Sequence, residues 1–434
     1  MLIAVVSLFP KHSAPRSQHM QPDSNSPRGF TAGDPLRAMA ALAVVVYHAA
    51  YFLQPRRFYS GYGAIAGHVL GSFHLGLFIF FVLSGYLISA PFVRAFVSGT
   101  PAPLLGRYAG KRLTRIAPAF WAILTIPLLA GRFFGEPAWR VAMVYGFAQN
   151  FSHGPVTHVI IQAWTLDVEV AFYVLVPSVA VALTLACRRL DRNGRSRMLI
   201  GALVVGSAAS LAARAIGPHT LAWNTSLPAM TFAFIPGVAI AVTEATATPR
   251  RLRSRGSRVP AGALLAAGLG VLALYSAGVG GPRPPITAPS ALGVLGFLLA
   301  VVGSGAVVAA PIVCQWSTGR CWAWLDNRVT RWIGARSYSL YLVHVIVIAI
   351  VVAAWPAVTN PGMRLVLLLP VMIAVSLAVA TLSYRWFELP FLRLRWSTAH
   401  RGSTVRRAPV SLFRPVPPRR GAEHAAGAGS GPRS

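Results

Sequence analysis

The sequence has few charged residues and very few acidic ones. Among 434 residues there are only 10 Asp and Glu, and charged residues make up 12% of the chain. Soluble globular domains average about 25% charged residues. Because 55% of the residues are hydrophobic, the chain cannot supply the polar surface that a soluble protein of this size needs. This composition excludes an ordinary soluble domain.

Cysteine is also scarce. The three cysteines, Cys187, Cys314 and Cys321, are too few for a disulfide framework. We expect them to be reduced, non-catalytic thiols. No spacing of cysteine and histidine resembles a metal-binding motif, so no metal site is predicted and no bound cofactor is expected.

Long apolar runs dominate the rest of the chain. A bilayer core of about 30 Å requires roughly 20 apolar residues per helix. Such runs predict an all-α, polytopic integral membrane protein with about ten transmembrane helices, near 35–53, 73–93, 115–134, 165–187, 198–216, 226–243, 260–279, 289–313, 335–355 and 363–385. The half-apolar stretch at 138–163 predicts an interfacial or re-entrant segment.

The forty Lys and Arg residues orient these spans. Alternate loops carry nineteen and seven of them, before the N- and C-terminal segments are counted. Cytoplasmic loops retain Lys and Arg, so both termini are predicted to be cytoplasmic in a multi-pass protein of the cell membrane. Because the charges lie in short loops between spans, the net charge of +30 indicates attraction to anionic lipid of the bilayer, and no nucleic-acid partner is predicted.

Composition also predicts three regions. Residues 1–32 form a flexible N-terminal segment, 33–395 the membrane domain and 396–434 a disordered basic tail rich in Arg, Pro, Gly and Ala. Residues 2–9 make a poor signal peptide because no basic residue precedes them. Either Met1 or Met20 could be the start of the protein.

Polar residues inside the spans are candidates for function because they are costly there. In the first span, Asp34 can cap the helix start, and Arg37 and His48 lie eleven residues apart on one face, about 16 Å along the axis. Arg37 could bind an anion at the inner surface, and His48 is a residue type suited to a general base. A snorkelling arginine and a packing histidine are the alternative.

A basic pair precedes the third span. Arg112 and Arg115 are three residues apart and therefore project from one helical face. Guanidinium groups bind phosphate in a bidentate manner, so the pair suits a phosphate ligand. The spacing alone favours the alternative, two more positive-inside arginines.

Two acidic residues open the fourth span. Asp167 is near the interface and can favour the helix N-terminus, whereas Glu169 lies deeper, with Tyr173 one turn away on the same side. His48 is predicted at a comparable depth. A Glu169–His48 pair would orient the imidazole for acid–base chemistry on a hydroxyl.

Other polar positions are less specific. Ser84 and Gly85 fall in mid-membrane, where small residues usually permit close helix packing. Ser337, Tyr341 and His344 form one stripe in the ninth span, and His344 can line a cavity or pack. Glu388 is expected to pair with a local arginine such as Arg385 or with an inner cluster.

Six runs in order resemble the acyltransferase-3 family of membrane O-acyltransferases. They are LRAMAALAVVVYHA, LFIFFVLSGYLIS, KRLTRIAPAFW, WTLDVEVAFY, RSYSLYLVH and YRWFELPFLR, and the resemblance covers about 33–395. The family pattern falls on Arg37 and His48, on Arg112 and Arg115, on Glu169 and on His344. The resemblance implies an acyl-CoA donor as co-substrate, often acetyl-CoA. The implied acceptor is a hydroxyl of a sugar, cell-surface glycan or secondary metabolite.

Two departures concern the acceptor. Asp167 replaces a serine that commonly stands two residues before the glutamate, and Val170 replaces a polar residue after it. Asp167 is predicted to line a pocket together with Tyr173, Tyr341 and His344. His48 and Glu169 are predicted to be catalytic, and the three arginines to bind the donor. A proton-coupled transporter or exporter is the alternative, since it also uses intramembrane His, Glu and Arg. A homo-oligomer is left open.

Overall fold

Nine helices in the described part of the chain are long and apolar enough to cross a membrane. The computed structural model describes residues 31–54, 64–131, 135–151, 160–248, 251–252, 254, 260–278, 291–319, 322–355 and 360–393. The nine spans are Gly33–Leu53, Ile65–Ser98, Leu105–Leu129, Ile161–Ala186, Arg192–Ile216, Leu227–Thr246, Leu292–Thr318, Ser337–Ala354 and Gly362–Arg393. The prediction of an all-α polytopic membrane protein is confirmed.

Thirteen α-helices of eight residues or more build the described part of the chain. They are α1 Gly33–Leu53, α2 Ala64–Ser72, α3 Gly76–Ser98, α4 Leu105–Leu129, α5 Ala138–Tyr145, α6 Trp164–Ala186, α7 Arg192–Ile216, α8 Ile235–Thr246, α9 Ala261–Ser276, α10 Ala291–Thr318, α11 Arg328–Ala335, α12 Ser337–Ala354 and α13 Pro361–Ser383. A π-helical turn, Tyr384–Glu388, continues α13 to residue 393. The predicted flexible N-terminal segment up to residue 30, the basic tail and Cys321 lie outside the described residues.

The seventh predicted span is shorter than expected. Helix α9 has 16 residues, about 24 Å of helix, which is less than the hydrocarbon thickness of about 30 Å. It packs along α10, where Gly268 meets Gly303 and Val307. The predicted 138–163 segment contains only the eight-residue α5 and two single 3₁₀ turns among its described residues, and none of them is long enough to span a bilayer.

Helices α1 and α3 lie at the centre. Helix α1 packs against α3, α11, α12 and α13, while α3 also contacts α6, α8 and α10. Gly334 of α11 approaches the backbone of Asp34, so α11 covers the start of α1. The two central helices thus place Arg37 and Ser84 against the neighbouring spans.

Glycines allow a close crossing of α3 with α8 and the turn before it. A Cβ atom at Gly85 of α3 would lie 2.2 Å from the carbonyl oxygen of Phe234, and one at Gly237 of α8 would lie 1.9 Å from that of Val82. The prediction that small residues near Ser84 permit close packing is confirmed.

We expect Gly85→Ala to destabilise the folded protein by about 1–3 kcal/mol or more, because the new methyl group meets rigid backbone. Gly201→Ala is the matched control, since its Cβ would enter open space and alanine favours a helix by about 1 kcal/mol. Thermal unfolding followed by size-exclusion chromatography measures both. Equal midpoints for the two variants would contradict the crossing.

Candidate functional site

A polar cavity lies where α1, α3, α4, α6 and α12 meet. Its volume is about 90 Å³, enough for several water molecules since one needs about 10–15 Å³. Its polar lining residues are Arg37, Ser84, Arg112, Arg115, Thr165, Glu169, Tyr173, Ser337, Tyr338 and Tyr341. Of the nine residues singled out as site candidates, six line this cavity: the three arginines, Glu169, Tyr173 and Tyr341.

Three arginines from two helices converge on the cavity. Arg37 lies near the start of α1, and Arg112 and Arg115 share one face of α4, as their spacing predicted. Helix α4 starts ten residues before the predicted span, at Leu105, so the pair lies within the helix rather than at its beginning. Three guanidinium groups around one space make an anion-binding site.

Arg112 and Arg37 are held by protein contacts. The Arg112 guanidinium lies 5.7 Å and 5.5 Å from the ring centroids of Tyr108 and Tyr173 and donates to the Leu87 carbonyl oxygen at 3.2 Å. Arg37 donates to Asp34 at 2.8 Å. The prediction that Asp34 caps α1 is wrong, because the helix already includes Gly33 and shows no side-chain cap.

Glu169 accepts two hydrogen bonds within the cavity. The Ser84 hydroxyl donates to Oε1 at 2.8 Å and the Tyr173 hydroxyl donates to the same oxygen at 2.9 Å. The predicted contact with Tyr173 is confirmed. The predicted contact between Glu169 and His48 is wrong, because His48 has other partners.

His48 pairs with His344. Nε2 of His344 lies 3.2 Å from Nδ1 of His48, and the ring centroids are 5.0 Å apart. His344 is fully buried, and neither histidine is among the residues that line the cavity. The prediction that His344 lines the pocket is therefore wrong, and its partner was missed.

Backbone carbonyls determine how the two neutral rings share their protons. Nδ1 of His48 lies 3.0 Å from the Val44 oxygen, and Nδ1 of His344 lies 2.8 Å from the Tyr341 oxygen. A carbonyl oxygen can only accept, so each Nδ1 carries the proton. Nε2 of His344 then accepts from the same His48 Nδ1–H, which is shared between Val44 and His344. This arrangement leaves a lone pair on Nε2 of His48, the atom that can take up a proton.

Tyr341 links the cavity to the histidine pair, because its side chain is part of the cavity lining and its ring centroid lies 5.8 Å from that of His344. Its hydroxyl lies 2.6 Å from Thr165 Oγ1 and donates to the Gln162 carbonyl oxygen at 2.7 Å. His344 follows three residues later on α12. Gln162 also donates to the carbonyl oxygens of Tyr341 and Leu342, both at 3.0 Å. These hydrogen bonds fix the position of this turn of α12 relative to the start of α6.

Two acidic residues act outside the cavity. Asp167 lies in the first turn of α6, as predicted, and Glu388 interacts electrostatically with Arg115 and Arg336 of the predicted inner clusters. Asp167 does not line the cavity and accepts from the backbone N–H of Asn150 at 2.8 Å. Glu388 is buried and accepts a hydrogen bond from Ser339 rather than from Arg385. Both carboxylates join distant segments of the fold.

The comparisons with known proteins bear on this arrangement. The model of the family described as "Acyltransferase domain", acyltransferase-3, matches residues 34–385. The chain belongs to the acyltransferase-3 family. The matched range covers the cavity, both histidines and helices α1 to α13, apart from Gly33 at the start of α1.

Several curated relatives of this acyltransferase-3 chain come from Staphylococcus aureus. A protein of strain COL named "Putative O-acetyltransferase SACOL0978" is 26% identical over 179 residues, covering 37% of this chain and 26% of the relative. "O-acetyltransferase OatA" of strain NCTC 8325 / PS 47 is 25% identical over 172 residues, covering 36% and 25%. The chain thus spans about a quarter of the length of the curated relatives it matches. No solved structure was found to match it.

Proposed function

We propose that the protein is a membrane O-acyltransferase that moves an acyl group, often acetyl, from acyl-CoA to a hydroxyl of a sugar, cell-surface glycan or secondary metabolite. The observation that carries the proposal is the convergence of Arg37, Arg112 and Arg115 on one cavity in an acyltransferase-3 domain. The relatives' names, O-acetyltransferase, support acetyl as the acyl group.

Acyl-CoA is the co-substrate and binds from the cytoplasmic side. The excess of Lys and Arg in alternate loops supports a cytoplasmic N-terminus, and with it a cytoplasmic position for the three arginines. Arg115 and Arg37 contact the phosphates of CoA, and Arg112 contributes charge from its position between two tyrosine rings. The pantetheine arm passes Tyr341 to bring the thioester to His48.

His48 acts as the general base. Its Nε2 takes the proton from the acceptor hydroxyl while the hydroxyl oxygen bonds to the thioester carbonyl carbon. The C–S bond breaks, the ester forms, and the CoA thiolate takes the proton back from Nε2. His48 Nδ1–H keeps its hydrogen bond to His344 throughout, which stabilises the charged ring.

His344 acts as a positioning residue for His48. We expect His344→Leu to lower kcat about 10- to 100-fold, because a hydrogen bond to a charged group contributes about 1.5–3 kcal/mol. KM for acyl-CoA should stay unchanged, since the arginines are not touched. His344→Gln restores an acceptor and should recover most of kcat.

Steady-state kinetics and ¹⁵N NMR of labelled histidine, both in nanodiscs, test this role. The wild-type spectrum should show His48 protonated at Nδ1, and His344→Leu should shift that equilibrium. An unchanged kcat together with an unchanged His48 tautomer would refute the positioning role.

The reaction itself is tested by untargeted mass spectrometry of surface glycans and secreted metabolites from a deletion strain. Complementation with the wild-type gene should restore a product heavier by one acyl group, and a His48→Gln gene should not. Identical products in all three strains, with substrate uptake or efflux lost in the deletion, would favour the transporter alternative.

A further inference from the structure

A second, apolar groove lies between α3, α6 and α7, behind the polar cavity. Its volume is about 350 Å³, and its walls include Phe92, Phe96, Val176, Val179, Leu199 and Leu203. On α6 it begins at Phe172, next to the cavity residue Tyr173, so the groove adjoins the cavity along this helix. The groove plays no part in the proposed reaction.

The lining of the groove is almost entirely apolar. The hydroxyls in its lining are already bonded to the protein backbone: Ser89 donates to Gly85, Thr231 donates to Leu227, and Ser210 accepts from the N–H of Phe232. A polar ligand would therefore find few groups to bind. An acyl chain matches this lining because it buries apolar surface without needing a hydrogen bond.

One end of the groove is strongly basic. Arg195 lies one turn before Leu199 on α7, donates to the carbonyl oxygen of Phe96 at 3.5 Å, and packs against Gly99. Arg192 is exposed one turn earlier. Asp191, the acidic residue at this turn, is engaged by the backbone N–H of Gly194 at 2.8 Å. Arg192 donates to the carbonyl oxygen of Ala245 at 3.1 Å, and Arg195 reaches the groove residue Phe96. Two guanidinium groups beside the end of an apolar groove are complementary to a phosphate head with a hydrocarbon tail.

The two helices that form the outer walls are the least packed spans. Within the apolar 18-residue stretch of each span, only 22% of the residues of α6 and 17% of those of α7 are buried against protein, compared with 72% for α10. Both helices therefore face the bilayer, and lipid chains have access to the space between them.

We propose that this groove binds one anionic diacyl phospholipid, with a chain between α6 and α7 and its phosphate against Arg192 and Arg195. Along α6 the lipid lies beyond Glu169, next to the stretch from Phe172 to Leu183. Binding is independent of the acyl-transfer reaction, so each can fail without the other.

Native mass spectrometry of the purified full-length chain tests the site with phosphatidylglycerol and phosphatidylcholine in mixed micelles. The wild-type chain should retain phosphatidylglycerol preferentially. The Arg192→Gln, Arg195→Gln double variant should lose about 30-fold of that preference, at roughly fivefold for each surface arginine. Arg197→Gln removes an exposed charge of the same helix but leaves the contact of Arg195 with Phe96 intact, so this variant should keep the preference.

A second pair of variants tests the hydrocarbon part. Gly206 lines the groove and a Cβ there would enter open space, so Gly206→Phe should fill the groove and abolish retention of either lipid. Gly201→Phe is the control, because Gly201 is also open and lies outside the groove. The proposal would be overturned if both glycine variants retained lipid equally, or if the wild-type chain retained the two lipids equally. It would also be overturned if acyl-CoA or a second copy of the chain occupied the groove.

Discussion

Replacing His48 with glutamine is expected to reduce acyl transfer about 10²- to 10⁴-fold, the usual effect of deleting a general base. Glutamine retains a hydrogen-bonding group of similar size but cannot take a proton from the acceptor hydroxyl. Nε2 of His48 is the atom left with a lone pair once Nδ1 is bonded to Val44 and His344. The initial rate of transfer from labelled acetyl-CoA in isolated membranes measures the effect.

The control for this variant is His219→Asn. His219 is exposed and has a positive φ of 54°, a conformation that asparagine tolerates. This variant should retain the wild-type rate. If His48→Gln also retained it at equal expression, His48 would not be the base.

Arg115→Gln is expected to raise KM for acyl-CoA about 10- to 100-fold, with a smaller change in kcat. Charge-assisted hydrogen bonds contribute about 1.5–3 kcal/mol each, and the Arg115 side chain lines the cavity near Arg37. Arg115→Lys should recover only part of the loss, because lysine lacks the bidentate fork. Saturation curves with acetyl-CoA distinguish the two parameters.

Arg197→Gln serves as the control for Arg115. Arg197 carries the same charge, is exposed on α7 and lies outside the cavity, so KM for acyl-CoA should not change. A rise in KM of the same size in both variants would mean that general surface charge, rather than the cavity, attracts the donor.

Apolar runs predicted the positions of the helices well. No water hydrogen-bonds to the backbone inside a bilayer, so a chain that spans it satisfies its backbone N–H and C=O groups by forming a helix. Boundaries were less predictable where polar residues continue a helix beyond the apolar core. Helix α4 includes Arg107, Lys111 and Arg112, so hydropathy alone placed its start ten residues late. Helix α9 ended short although its sequence is uniformly apolar, since composition does not show where a helix stops.

In the site, contacts within one helix were predictable from the sequence, whereas contacts between residues far apart in the sequence were not. Spacing along one helix correctly predicted that Arg112 and Arg115 share a face and that Tyr173 contacts Glu169. The partner of His48 was chosen from depth in the membrane alone, and depth does not specify which side of a helix faces which neighbour. His48 and His344 are 296 residues apart, and no periodicity relates them.

Transfer of labelled acetyl from acetyl-CoA by the purified protein in nanodiscs tests the central claim most directly. The acceptors would be glycans and metabolites extracted from the deletion strain, and mass spectrometry would identify the labelled ester. We predict a labelled O-acyl product with the wild-type protein and its near-complete loss with His48→Gln. CoA-independent movement of substrate across the membrane, with no labelled ester formed by the wild-type protein, would contradict the proposal.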